Sequence, residues 1–90
     1  MVGGSFPISE YYRSNILDAV TVSRGGGWWT AVLLIKDPKS GRPFIGLYRW
    51  QFTESGWKIR KRFTFRRISE INSIIKIIQD FSGKLSVDEK

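Results

Sequence analysis

The hydrophobic period changes once along the chain, and this change limits the possible folds more than any other feature. Residues 18–65 form short apolar runs separated by turns that contain glycine, which is typical of β-strands. From about Glu70 to Phe81 or beyond, apolar residues recur at helical spacing, which predicts an amphipathic helix. That stripe comprises Ile71, Ile74, Ile75, Ile78, Phe81 and Leu85. The pattern predicts an α+β fold in which a four-stranded antiparallel sheet, a meander, is followed by a C-terminal amphipathic helix (β-β-β-β-α).

Glycine and proline set the limits of the predicted strands, which span residues 19–23, 28–36, 44–53 and 57–65. Gly25-Gly26-Gly27 follows the first strand as a flexible hairpin tip. Between the second and third strands, Pro38 presets φ and Gly41 can take a positive φ, which favours a four-residue loop. With that loop, Trp29 would lie beside Trp50.

The 90 residues suit one domain, and its two ends are predicted to be its least regular parts. Residues 1–17 are predicted to be an arm or short helix, with a flexible arm over 1–7 and a short helix from Ser9, as N-cap, to Leu17. Ser69 is the predicted N-cap of the C-terminal helix, and Gly83 is placed to end it. The predicted limits are 18–65 for the sheet, 69–85 for the helix and 86–90 for a frayed tail.

Composition excludes several classes of enzyme. The absence of Cys excludes disulfides and Cys-based zinc sites, and the absence of His excludes a Ser-His-Asp triad. Metal-assisted hydrolysis needs clustered carboxylates, whereas the eight acidic residues are scattered. Fifteen Lys and Arg residues give a formal net charge of +7. We therefore expect a binding protein rather than an enzyme, without catalytic residues, metal or cofactor.

The chain carries no signal for a membrane or for secretion. No apolar run approaches the roughly 18 residues that cross a bilayer. The N-terminus lacks a charged segment followed by an apolar one. We expect an intracellular protein of the cytoplasm or nucleoid.

The register of the last hairpin decides which side chains share a face of the sheet. A three-residue loop with Gly56 in a left-handed conformation pairs Thr53 with Trp57. Aromatic and cationic residues then share one face, and apolar pairs on the other form a floor for the helix. The pairs on the first face are Phe52–Lys58, Trp50–Arg60, Tyr48–Arg62 and Phe44–Arg66, and those on the second are Leu47–Phe63 and Ile45–Phe65.

A loop of two or four residues would exchange these faces. Tyr48, Trp50 and Phe52 would then join the core, together with Ile59, Phe63 and Phe65. The remaining basic face would comprise Arg49, Gln51, Lys58, Arg60 and Arg62. We prefer the three-residue loop; both registers leave a cationic face, but only this one makes it aromatic as well.

A face that combines cations with aromatic rings suits a single-stranded polynucleotide. Cations neutralise phosphates, and unpaired bases stack on aromatic rings. Duplex DNA hides its base faces, so exposed rings would gain little from it. We therefore predict sequence-tolerant binding of single-stranded DNA, with RNA as a second possible ligand. The predicted nucleic-acid-binding residues are Arg24, Trp29, Tyr48, Arg49, Trp50, Phe52, Lys58, Arg60, Lys61, Arg62 and Arg66.

The apolar stripe of the C-terminal helix is wider than one small sheet should cover. Ile77 lies at its edge. A domain of this size without disulfides or a metal site is marginally stable alone, so association of two copies is an obvious supplement. We predict a homodimer, with interface residues Ile74, Ile77, Ile78 and Phe81.

The segment from Phe44 to Phe81 resembles the positive-cofactor-four coactivator (whirly-type) family. The likeness lies in residues 45–50 (IGLYRW), residues 56–62 (GWKIRKR) and the helix opening at residues 67–71 (RISEI). Residues 65–69 (FRRIS) lack the glycine usual before that helix. The resemblance, at the level of element order over residues 18–82, implies a curved four-stranded sheet that binds single-stranded DNA and a helix that mediates homodimerisation. The ThermoDBP-type single-stranded DNA-binding group of thermophilic archaea is a second resemblance and implies the same ligand.

Other functions remain open at this point. An RNA-binding or transcription-associated cofactor module would need a preference for RNA, and nothing in the sequence indicates a contact with a 2′-hydroxyl. A protein-interaction domain without nucleic acid is a third possibility. A comparison of binding to single-stranded DNA, duplex DNA and RNA would separate them.

Overall fold

The structure, a computed structural model, describes residues 6–88. It contains a four-stranded antiparallel sheet whose strands are neighbours in chain order, preceded by a short helix and followed by a long one. The predicted fold class and element order are confirmed. The elements are α1 (Glu10–Arg13), β1 (Ile16–Gly25), β2 (Trp28–Lys36), β3 (Pro43–Thr53), β4 (Gly56–Phe65) and α2 (Ile68–Asp88).

The β2–β3 loop sets the central register of the sheet. Gly41 has φ +76°, and its N–H donates to the Asp37 carbonyl oxygen at 2.7 Å. The Asp37 carboxylate accepts the N–H of Lys39 at 2.9 Å, and this hydrogen bond is the main cause of its lowered pKa. The loop places Trp29 opposite Trp50, as predicted.

The β3–β4 hairpin combines parts of both registers considered above. Far from the turn the pairs are the predicted ones, Tyr48–Arg62, Leu47–Phe63 and Ile45–Phe65. Near the turn the register shifts by one residue, so the predicted pairs of Thr53, Phe52 and Trp50 are wrong. The observed pairs there are Thr53–Gly56, Phe52–Trp57, Gln51–Lys58 and Trp50–Ile59.

A β-bulge causes this change of register. The shift lies between Arg49 and Trp50 on β3, and Arg60 is the extra residue on β4. The turn itself has two residues, Glu54 and Ser55, and is followed by Gly56 with φ +100°. The extra residue was predicted in the turn, and it lies within the strand instead.

The core lies between one face of the sheet and the N-terminal segment. Phe6 and Ile8 are buried against it, so the prediction of a flexible arm is wrong for residues 6 and 7; residues 1–5 lie outside the described residues. Gly46 is required because a Cβ there would lie 2.6 Å from the Tyr48 ring. The core comprises Phe6, Ile8, Trp29, Ala31, Leu33, Ile35, Phe44, Tyr48 and Trp50.

The N-terminal helix is shorter than predicted. It spans only Glu10–Arg13, because from Ile16 the chain pairs with β2 as a strand. Ser9 occupies the N-cap position as predicted, but its side chain makes no capping hydrogen bond. Arg13 holds the segment in place by donating to the Ile8 carbonyl oxygen at 2.9 Å.

Helix α2 differs from the prediction at both ends and in its packing. It begins at Ile68, so Ser69 lies in the first turn rather than at the N-cap, and it continues through Gly83. Residues 86–88 are therefore helical and not a frayed tail, while 89 and 90 lie outside the described residues. The helix contacts mainly β4, the edge strand that it follows. It does not cover the sheet, which leaves the predicted floor at Leu47 and Phe63 open.

None of the helices in residues 6–88 is long and apolar enough to cross a membrane.

Candidate nucleic-acid interface

The two faces of the sheet have different environments. The inner face carries the core and lies against the N-terminal segment. The outer face carries the alternate residues of each strand and has no such cover. Since strand residues alternate in direction, the predicted site residues are divided between these faces.

The aromatic platform predicted at Trp29, Tyr48 and Trp50 belongs to the core. These side chains are 3%, 1% and 0% exposed. The Phe6 ring stacks on Trp29 with the ring centroids 5.2 Å apart, and the Trp50 indole N–H donates to the Pro7 carbonyl oxygen at 3.0 Å. The prediction that these three rings are open to bases is wrong, because they face the same side as the N-terminal segment.

Burial also affects the titration of Tyr48. Loss of solvent raises the pKa of its hydroxyl, and the charge of Arg62 opposes this shift. Arg62 is the residue paired with Tyr48 across β3 and β4, so it lies on the inner face at the edge of the sheet. Arg62 therefore lies beside the core and is also exposed at the surface.

The outer face divides into two halves. The half nearer the β3–β4 turn, here called the cationic half, comprises Arg49, Lys58, Arg60 and Lys61 with Trp28, Thr30 and Gln51. The half nearer α2, here called the apolar half, comprises Val20, Val32, Leu34, Ile45, Leu47 and Phe63. Both halves lie on one continuous surface.

The cationic half is held in place by stacking and hydrogen bonding. The Arg49 guanidinium lies 4.5 Å from the centroid of the Trp28 ring, a cation–π contact. Arg60 donates from Nε to the Gln51 Oε1 at 2.9 Å. Lys61 is the direct cross-strand partner of Arg49. Within residues 6–88, the four cations of this half form no ion pair with a carboxylate, so their charge is not neutralised by the protein.

A cleft of about 550 Å³ opens where the two halves meet. Four cations, which include the bulge residue Arg60, line one part of it, and Leu47 and the Phe63 ring line another. One face of the Phe63 ring stacks on Phe65, with the ring centroids 5.4 Å apart. Phe63 is nevertheless 64% exposed, which leaves its other face open to a planar ligand. The cleft is lined by Thr30, Leu47, Tyr48, Arg49, Arg60, Lys61, Arg62 and Phe63.

Arg66 lies apart from this cleft. It follows the end of β4, and its guanidinium lies 4.4 Å from the centroid of the Phe44 ring. It also forms an ion pair with Asp37 at 3.5 Å. Arg66 therefore lies close to Phe44, as the predicted pairing required. Both contacts hold it on the inner side of the sheet, away from the cleft.

The remaining predicted residues, Arg24 and Phe52, lie at the end of the inner face beside the two hairpin turns. The Arg24 guanidinium lies 4.0 Å from the Trp29 ring centroid and 5.4 Å from that of Trp57. Phe52 contacts Trp57 edge to face and is 59% exposed. The sequence reasoning omitted Trp57 from the site, as well as Trp28 on the outer face. The strand register places Trp57 close to Arg24 and Trp28 close to Arg49.

The four predicted interface residues lie on α2. Ile77, Ile78 and Phe81 are exposed, and Ile74 is half-buried. Across the described part of the chain, no group of three or more His, Cys, Asp or Glu side chains could hold a metal ion.

No protein-family model, curated protein or solved structure matches the chain. The resemblances stated above therefore stay predictions.

Proposed function

We propose that the protein binds single-stranded DNA without sequence preference through the cationic half of its outer face. The observation that supports this best is the cleft in which Arg49, Arg60 and Lys61 lie beside the exposed ring of Phe63. Cations without carboxylate partners can neutralise phosphates and release counterions. An open ring beside them offers a base a surface on which to stack.

The shape of this site favours an unpaired strand over a duplex. The outer face is a sheet surface rather than a helix or a projecting β-ribbon that could enter a major groove. Stacking on Phe63 requires a free base face, which a duplex does not offer. The same cleft would suit unpaired RNA, so an RNA-binding or transcription-associated module is the second candidate.

The assembly that we propose is a homodimer. Helix α2 carries an exposed apolar stripe, with Ile78 59% and Phe81 60% exposed, and the apolar half of the outer face is also uncovered. A groove of about 350 Å³ lies in that half between Val20, Val32 and Ile45. Two copies related by a two-fold axis can place α2 of each in the groove of the other, which covers the helix stripe and the β1 side of the apolar half. This contact leaves the cationic halves, and the cleft beside Phe63, open to nucleic acid.

The proposed role is binding and not catalysis, and an unpaired polynucleotide as ligand would place it inside the cell. Equilibrium titrations of fluorescein-labelled oligonucleotides at one salt concentration test it. We expect the single strand to bind more tightly than the matched duplex. Equal affinity for the two DNA forms would contradict the proposal. Tighter binding of a matched RNA strand would favour the second candidate.

A further inference from the structure

One end of the inner face is not covered by the described part of the N-terminal segment, which begins at Phe6. Phe6 covers Trp29 and Trp50, with ring centroids 5.2 and 6.0 Å away. Phe52, two residues beyond Trp50 on the same face, is 59% exposed. The aromatic face therefore continues past its cover and ends in an open cluster beside the two hairpin turns.

Arg24 forms one wall of this open end. Its guanidinium lies over the ring of Trp29, which is buried, and reaches towards Trp57, the cross-strand partner of Phe52. No ion pair of Arg24 occurs within residues 6–88. A planar cation that stacks on indole rings and lacks a carboxylate partner can contact both a base and a phosphate.

The cluster borders an open cleft of about 440 Å³, within the size range of ligand sites. Its walls are the side chains of Arg24, Phe52 and Trp57 and the backbone of Gly25 and Gly27. Nothing lies within 4 Å of the position that a Cβ would take at either glycine, so this wall stays open to a ligand.

The cleft adjoins the cationic half of the outer face. Phe52 and Trp57 directly follow and precede Gln51 and Lys58, which belong to the cationic half. Successive strand residues point to opposite faces, so a polynucleotide that passes round the β3–β4 turn would meet both surfaces.

We infer that the cleft of Arg24, Phe52 and Trp57 is a base-binding site, which takes one unpaired nucleobase of the strand bound by the cationic half. This inference rests on the proposed function and assigns it a second contact. The base stacks on the open face of Phe52 beside Trp57. The Arg24 guanidinium lies over the adjacent indole rings and contacts the phosphate that follows.

The test compares a labelled oligothymidylate with an abasic strand of the same length, which keeps the sugar and phosphates but lacks bases. Phe52→Leu removes the ring but keeps an apolar side chain, and Arg24→Lys keeps the charge but removes the planar group. Tyr11→Leu is the matched control, because Tyr11 is 53% exposed and lies outside both clefts. Thermal melts establish that each variant is folded.

We expect Phe52→Leu to weaken oligothymidylate binding by roughly 5- to 150-fold, the loss of one stacked base, with little change for the abasic strand. Arg24→Lys should weaken oligothymidylate binding while leaving its dependence on salt unchanged. Tyr11→Leu should change neither. A second measurement, photo-crosslinking of a strand that contains 5-iodouracil, should attach the base to Phe52 or Trp57.

Two outcomes would overturn the inference, and they are distinguishable. If wild-type protein binds oligothymidylate but folded Phe52→Leu binds both strands as the wild type does, the cleft does not bind a base, and the proposed function stands. If wild-type protein binds no single strand at all, the proposed function fails and the inference fails with it.

Discussion

At the scale of single residues, two neighbouring aromatic side chains on β3 have different roles. Trp50 is fully buried, with its ring 5.4 Å from that of Tyr48 and its indole N–H bonded to Pro7. Phe52 lies on the same face and is mostly exposed. The alternation along the strand places both on the inner face, but the described part of the N-terminal segment covers only Trp50. The chemistry of a residue type therefore did not distinguish the core from the exposed surface here.

We predict that Trp50→Ala and Phe52→Ala separate stability from binding. Trp50→Ala should lower the free energy of unfolding by about 3–5 kcal/mol, because it leaves a large cavity in the core. The fraction that stays folded should bind single-stranded DNA as the wild type does. Phe52→Ala should change the free energy of unfolding by less than about 1 kcal/mol and weaken binding. Urea denaturation beside oligonucleotide titration measures both; a stable Trp50→Ala variant would contradict the assignment of this ring to the core.

At the scale of elements, the alternation of apolar residues and the turn residues were sufficient to predict the four strands, their order and the β2–β3 register. The bulge at Arg60 was not predictable from this pattern. Each candidate register of the hairpin satisfied the hydrophobic alternation over part of its length. Because β4 has one extra residue, one register is observed near the turn and the other far from it. The predicted face divided accordingly, because the bulge places Arg60 on the outer face and leaves Arg62 on the inner one.

The N-terminal segment was the other element that sequence reasoning missed. Its apolar residues are too few and too irregular to show a period, yet Phe6 and Ile8 are buried against the sheet. Helix α2, with a strong apolar stripe, contributes little cover. An amphipathic pattern indicates that the apolar face of a helix packs against another surface, but it does not identify that surface.

We predict that Phe6→Ala destabilises the fold. The Phe6 ring contacts both Trp29 and Trp50, and its loss should lower the free energy of unfolding by about 3 kcal/mol. Tyr11→Ala, in the same segment but exposed, should cost less than about 1 kcal/mol. Urea denaturation of the two variants decides the matter. Equal stability of both would show that the segment does not cover the core.

At the scale of the whole molecule, the described residues expose two apolar surfaces and one cationic surface. The stripe on α2 and the apolar half of the outer face are both uncovered, which is unusual for a small monomer. The sequence indicated that the helix stripe was too wide for one sheet. It did not indicate that the sheet would leave the helix almost free of contacts, because that depends on the direction in which α2 leaves β4.

We predict that the protein sediments as a dimer of twice the 10.4 kDa chain mass at micromolar concentration. Ile77→Glu places a charge on the stripe and should shift the equilibrium towards monomer. Gln79→Glu introduces the same charge on the same exposed helix, two residues away from Ile77 and off the stripe, and should leave the dimer intact. Sedimentation equilibrium showing only monomer for the wild type would contradict the proposed assembly.

The dependence of single-strand affinity on salt tests the central claim most directly, because it reports how many phosphates the cationic half neutralises. For an oligothymidylate, log affinity should fall linearly with log salt concentration. Arg49→Gln and Lys61→Gln should each reduce the slope by roughly 0.7, and together by about twice that. Lys39→Gln, in the β2–β3 loop away from the cationic half, is the control and should leave the slope unchanged. A slope that is the same in the wild type and in the folded double variant would contradict the assignment of phosphate binding to this surface.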